Sequence, residues 1–220
     1  VCRDAPDPDH RLDLAGLLAA GDEAERAEAT SIYEAAAGGD QGVAAAATAL
    51  EALARAAMRA GDPAAARARI ADALALPLDD DRRRPFEAMA RALDDRTLAG
   101  NFLRGYFFAA DGDRVTWAAL AVLAAPHDRF GWYLLGWQLD DHGLRDAAAH
   151  LLSLAIEGPL PSLRFVRAGA RKGILAAWRA GDADVLGEIA GVLESTGYEV
   201  DRWLAADWRQ RASFAATGTL

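Results

Sequence analysis

Residues 132–159 read WYLLGWQLDDHGLRDAAAHLLSLAIEGP. Trp132, Leu135-Gly136 and Leu139 recur at three- and four-residue steps. Gly143 interrupts, and Ala148, Leu152 and Ala155 resume the steps before Pro159. Side chains at that spacing share one face of a helix. A glycine ends a helix because it accepts the left-handed conformation without a Cβ clash, and proline cannot continue one. The stretch therefore predicts two helices joined by a tight turn.

The same punctuation runs along the chain. Gly-Asp occurs at 21–22, 39–40, 61–62, 112–113 and 181–182, where chance would give about two occurrences. Glycine closes one helix, and aspartate caps the next by accepting its free N–H groups. Ala56-Ala57-Met58-Arg59-Ala60-Gly61-Asp62 and Ala176-Ala177-Trp178-Arg179-Ala180-Gly181-Asp182 are nearly the same sequence. Around Gly61, Leu50, Leu53-Ala54, Ala57, Ala66, Ile70, Ala73 and Pro77 hold the offsets seen around Gly143. Gly181 and Gly112 repeat the scheme more loosely, and the first hairpin fits only with a three-residue slip, giving Ala29, Tyr33 and Ala36. Small residues recur where paired helices would cross closely.

Sustained alternation of β-branched or aromatic residues is absent, while Ala, Leu, Arg and Glu, strong helix formers, dominate. The periodicity predicts about twelve helices, near 10–19, 23–37, 41–60, 63–76, 85–95, 97–110, 114–124, 127–141, 144–157, 161–180, 183–196 and 199–214. Residues 1–9, with Pro6 and Pro8, read as a linker, 10–198 as the hairpin array, 199–214 as a C-terminal capping helix, and 215–220 as a disordered tail. In the cap, Val200, Trp203, Leu204 and Trp208 are expected to cover the preceding hairpin. The Asp79–Arg84 block reads as an inter-helix loop.

Composition excludes several classes of function. The chain has 24 Lys+Arg against 33 Asp+Glu, a net charge of −9, and so lacks the cationic stripe that nucleic-acid phosphates require. Its densest apolar run, Trp117 to Ala125, is far short of a membrane span. The single cysteine, Cys2, cannot form an intrachain disulfide. The start at Val1 suggests a processed chain or a piece of a longer protein, and the Ala/Arg/Gly/Asp bias with one lysine, Lys172, suggests a bacterial source. A cytoplasmic location is expected, with an extracytoplasmic domain of a larger protein as the alternative.

The pattern Trp132-x2-Leu135-Gly136-x2-Leu139, Ala148-x3-Leu152-x2-Ala155, Pro159 resembles the tetratricopeptide repeat family, with the 50–77 stretch as a second match. Turn glycines are 40, 51, 31 and 38 residues apart, so the repeats are irregular, and the 51-residue gap holds an extra helix near Phe86–Leu93. The resemblance implies an all-α helix-hairpin solenoid whose concave surface binds a peptide or partner helix. Its groove positions would be Phe102, Tyr106, Phe130, Tyr133 and Trp137, flanked by Arg55, Arg171 and Arg179, because aromatic and arginine side chains dominate binding hot spots. The opposing expectation is that these rings fill a core that alanine leaves empty. The family's Lys/Asn clamp for a C-terminal carboxylate is missing.

The histidines are His10, His127, His142 and His150. None lies in an HExxH arrangement or at ligand spacing from Glu or Cys, and Asp140-Asp141-His142 reads as solvated loop. No phosphate loop, dinucleotide fingerprint or Gly-x-Ser-x-Gly occurs. The reading is a protein–protein interaction scaffold, not an enzyme, with a protein or peptide partner and no cofactor, metal or nucleic acid. The alternatives are a helical sensor enclosing a small molecule, lined by Tyr106, Tyr133 and Trp137, and an all-α enzyme with an unrecognised site.

Overall fold

The computed structural model describes residues 8–38, 42–109 and 113–217, and among them it contains helices and no strand. The chain forms two compact units, Val1–Asp94 and Asp95–Leu220. The first holds α1 (Pro8–Leu18), α2 (Glu23–Ala37), α3 (Val43–Arg59), α4 (Pro63–Ala75) and α5 (Asp80–Asp94). The second holds α6 (Leu98–Phe108), α7 (Arg114–Ala124), α8 (Arg129–Asp141), α9 (Arg145–Ile156), α10 (Leu163–Ala180), α11 (Ala183–Ser195) and α12 (Glu199–Thr217). Within each unit, helices pack chiefly on their neighbours in sequence.

Three turns share one design. Gly61, Gly143 and Gly181 have φ of 76°, 81° and 78°. The following residue's N–H reaches back across the turn in each case, Asp62 to Ala57 at 2.9 Å, Leu144 to Leu139 at 2.9 Å and Asp182 to Ala177 at 3.0 Å. That bond satisfies a carbonyl the helix end would leave orphaned. Asp62 and Asp182 then cap the next helix, accepting from Ala65 N–H at 2.9 Å and Val185 N–H at 3.0 Å. Gly21 differs: it is not left-handed, and the hairpin is fixed instead by a capping box between Asp22 and Glu25. The pair at 39–40 and Gly112 lie outside the described residues, as do 1–7 and 218–220.

Small residues set the crossings. Ala66, Ala73, Ala148 and Ala155 are fully buried. A Cβ on Gly136 would stand 2.9 Å from Leu152 Cγ, inside any real contact distance, so α8 and α9 approach closely only because position 136 is glycine.

Three boundaries correct the sequence reading. α1 starts at Pro8, inside the expected linker, because proline is well suited to a first helical position. The 79–84 block is helical rather than loop. Asp79 accepts from Arg82 N–H at 2.8 Å, Asp80 and Asp81 sit at the positive helix end, and Arg84 pairs with Asp81 at 3.3 Å. Pro85 consequently falls within α5. At the other end, α12 continues to Thr217, three residues into the expected tail.

Candidate functional site

The structure separates the expected groove residues. Phe130 is fully buried, Tyr133 is 3% exposed and Tyr106 is 7% exposed. Phe130 packs edge-on to Phe165 at 5.5 Å and stacks with Tyr133 at 6.1 Å, and Tyr106 meets Phe107 edge-on at 4.8 Å. The buried Gln138 amide donates to the Tyr106 hydroxyl at 3.0 Å, tying α8 to α6. These three rings are core in this chain, not groove. The reason is that α8 packs against α7, α9 and α10 together, so no broad face of it is left for a partner. Phe102 is half-buried, 6.3 Å from Trp117.

Trp137 is half-buried beneath the sole lysine. Lys172 Nζ lies 4.6 Å from the ring centroid, 3.0 Å from Asp140 and 2.7 Å from Asp141. Asp140-Asp141 is thus not solvated loop: the Asp140 side chain is 9% exposed, and Lys172 offsets two carboxylates at a helix C-terminus that would otherwise repel them. Arg171 is likewise structural. With Arg167 it holds the fully buried Asp201 carboxylate, at 2.7 Å and 2.5 Å. Arg179 is exposed in the last turn of α10.

Asp201 and Ala205, not Val200 and Trp203, form the buried side of α12. Val200 is 59% and Trp203 73% exposed, while Leu204 and Trp208 pack on the core as expected.

Arg55 alone among the expected residues lines an open groove. The groove spans the end of α1 and the facing stripes of α2 and α3, with a volume of about 550 Å³, within the usual range for binding sites. On α2 it is lined by Arg26, Ala29, Thr30 and Tyr33, at helical spacing. On α3 it is lined by Ala52, Arg55, Ala56 and Arg59. The alanines explain the space, since a larger side chain at those positions would fill the gap between the helices.

Its polar rim is basic. Arg26 Nη1 donates to the Gly21 carbonyl at 2.7 Å, which orients the guanidinium without neutralising it. Arg55 pairs with Glu51 at 2.8 Å one turn away. Arg59 forms no ion pair among the described residues. Among the described residues no carboxylate lines the groove, and with Arg55 paired to Glu51 the rim's positive charge comes chiefly from Arg26 and Arg59. Burial raises the Tyr33 hydroxyl pKa above its ordinary value, and the Arg59 charge works against that rise. The hydroxyl therefore stays protonated and can donate.

Arg26 and Tyr33 were missed because the first hairpin is out of register with the others; Arg59 lies on α3, one turn beyond Arg55. The signal that could have found them is the i, i+4 pair Arg55 and Arg59 beside an alanine stripe.

No family model, no curated protein and no solved structure matches this chain.

Proposed function

We propose that the chain is a protein–protein interaction scaffold, a tetratricopeptide-like array of irregular helix hairpins. In this reading the groove across α1, α2 and α3 holds an acidic peptide segment of the partner. The observation that carries it is the convergence of Arg26, Arg55 and Arg59 on one alanine-floored channel whose described lining holds no carboxylate. Arginine forks match carboxylates in a bidentate geometry, and small apolar side chains of a peptide fit against an alanine floor. The hairpin repetition, the three matching glycine turns and the small residues at helix crossings support the repeat reading.

Each exposed ion pair contributes about 0.2–1 kcal/mol, so affinity would come from several acting together. The test is fluorescence anisotropy with a fluorescein-labelled peptide rich in Glu and Asp with interspersed Leu and Ala. Arg26→Glu combined with Arg59→Glu is expected to weaken binding about tenfold or more, with far-ultraviolet circular dichroism unchanged. Higher salt is expected to weaken wild-type binding. A folded double variant that binds as tightly as wild type would sink the proposal.

A further inference from the structure

Asp146 and His150 stand one turn apart on α9, and Asp182 caps α11. One donor atom from each lies within 4.8 Å of the others. The group was not legible in the sequence because Asp182 arrives from a different hairpin and the partner residues are aspartates rather than Glu or Cys.

Hydrogen bonds orient His150 and Asp182, and Asp146 Oδ1 lies 3.8 Å from His150 Nδ1. His150 Nδ1 is 3.0 Å from the Asp146 backbone carbonyl. A carbonyl only accepts, so in the neutral imidazole Nδ1 carries the proton and Nε2 carries a lone pair. Asp182 Oδ1 accepts from Val185 N–H at 3.0 Å, which orients the carboxylate. The remaining oxygen, Oδ2, then lies 3.8 Å from His150 Nε2. That is too long for a hydrogen bond. It is close to the separation of two donors that each sit about 2.0–2.2 Å from one cation.

A second feature points the same way. Metal-ligating histidines usually donate their other ring N–H to a carbonyl or carboxylate, which fixes the ring and its tautomer. His150 has that arrangement here. The adjoining open depression, lined among the described residues by Asp146, Ala180, Gly181, Asp182, Ala183 and Asp184, has three carboxylates and no basic side chain in that set.

We propose that Asp146, His150 and Asp182 bind a divalent transition-metal cation of the zinc class. One imidazole with two carboxylates suits Zn²⁺, Co²⁺ or Ni²⁺ better than Mg²⁺ or Ca²⁺, which take oxygen ligands alone. Three protein ligands in an exposed depression leave further positions to water. The cation would join α9 to the α10–α11 turn and so brace the second unit.

The experiment is calorimetric titration of the full chain with Zn²⁺, paired with Co²⁺ titration followed by visible absorption. The expected result is one ion per chain and a rise in melting temperature with Zn²⁺. His150→Ala should weaken binding at least tenfold. Asp182→Asn, which keeps the helix cap, should also weaken it, whereas His142→Ala and Cys2→Ser should not. Absence of binding at submillimolar Zn²⁺, or binding that survives His150→Ala or is lost in Cys2→Ser, would overturn the assignment.

Discussion

Asp201→Ala is expected to lower the stability of the second unit by about 3–5 kcal/mol, the usual cost of breaking a buried ion pair from one side. The Asp201 carboxylate is fully buried and receives Arg167 at 2.5 Å, Arg171 at 2.7 Å and the Thr196 hydroxyl at 2.9 Å. Arg167 also lies over the Tyr198 ring, 4.0 Å from its centroid. The network joins α10, the turn before α12 and the first turn of α12, whose positive helix end further favours the carboxylate. Removing the carboxylate takes a charge partner at 2.5 Å from Arg167, which is only 13% exposed.

The same network sets an acid response. Burial alone would raise the Asp201 pKa, but the hydrogen bonds from Arg167, Arg171 and Thr196 outweigh it, and the value falls below the ordinary 3.8. A depressed carboxylate pKa stabilises the fold fully above the unfolded value, and the contribution disappears as pH falls through the folded one. Urea denaturation of wild type and Asp201→Asn should therefore show a stability gap near neutral pH that narrows as the pH falls below about 4. A gap that persists undiminished at pH 2 would contradict this account of the network.

Phe130→Ala is expected to cost about 3–5 kcal/mol, the range for losing a buried aromatic ring to a cavity. Phe130 has no exposed surface and contacts Phe107, Tyr133 and Phe165 from three sides. A ring in a groove behaves oppositely: its loss would leave the denaturation midpoint in place and reduce partner capture. The two outcomes separate core from groove for this cluster by one denaturant titration. Tyr133→Ala, 3% exposed beside Phe165 at 5.5 Å, should follow Phe130→Ala for the same reason.

Helix content and hairpin order were legible because punctuation and periodicity are local. Glycine at 61, 143 and 181 and aspartate at 62 and 182 act within a few residues, and the helices they bound lie within two residues of their expected limits. Orientation of the faces was not legible in the same way. In α8, Tyr133 is buried, while Trp132, which shares the face of Leu135, Gly136 and Leu139, is half-buried with its indole N–H on the Pro126 carbonyl at 2.9 Å. Periodicity groups residues by face but does not say how many neighbours a helix has. The electrostatic groups were hidden for a related reason. Asp201 with Arg167, and Asp182 with His150, are 34 and 32 residues apart, so only the packing of hairpins brings them together. Of the three arginines that line the groove, the common register marked only Arg55; Arg26 stands on the hairpin that departs from that register.

The most direct test of the proposed function is hydrogen–deuterium exchange of the full chain with and without the acidic peptide. All six tryptophans lie beyond residue 116, so intrinsic fluorescence is poorly placed to report on the groove, whereas exchange reads it peptide by peptide. Binding to the arginine-lined channel predicts slower exchange in segments 23–33 and 50–60. Protection confined to residues 95–217, or no protection at saturating peptide, would contradict the assignment of this groove as the partner site.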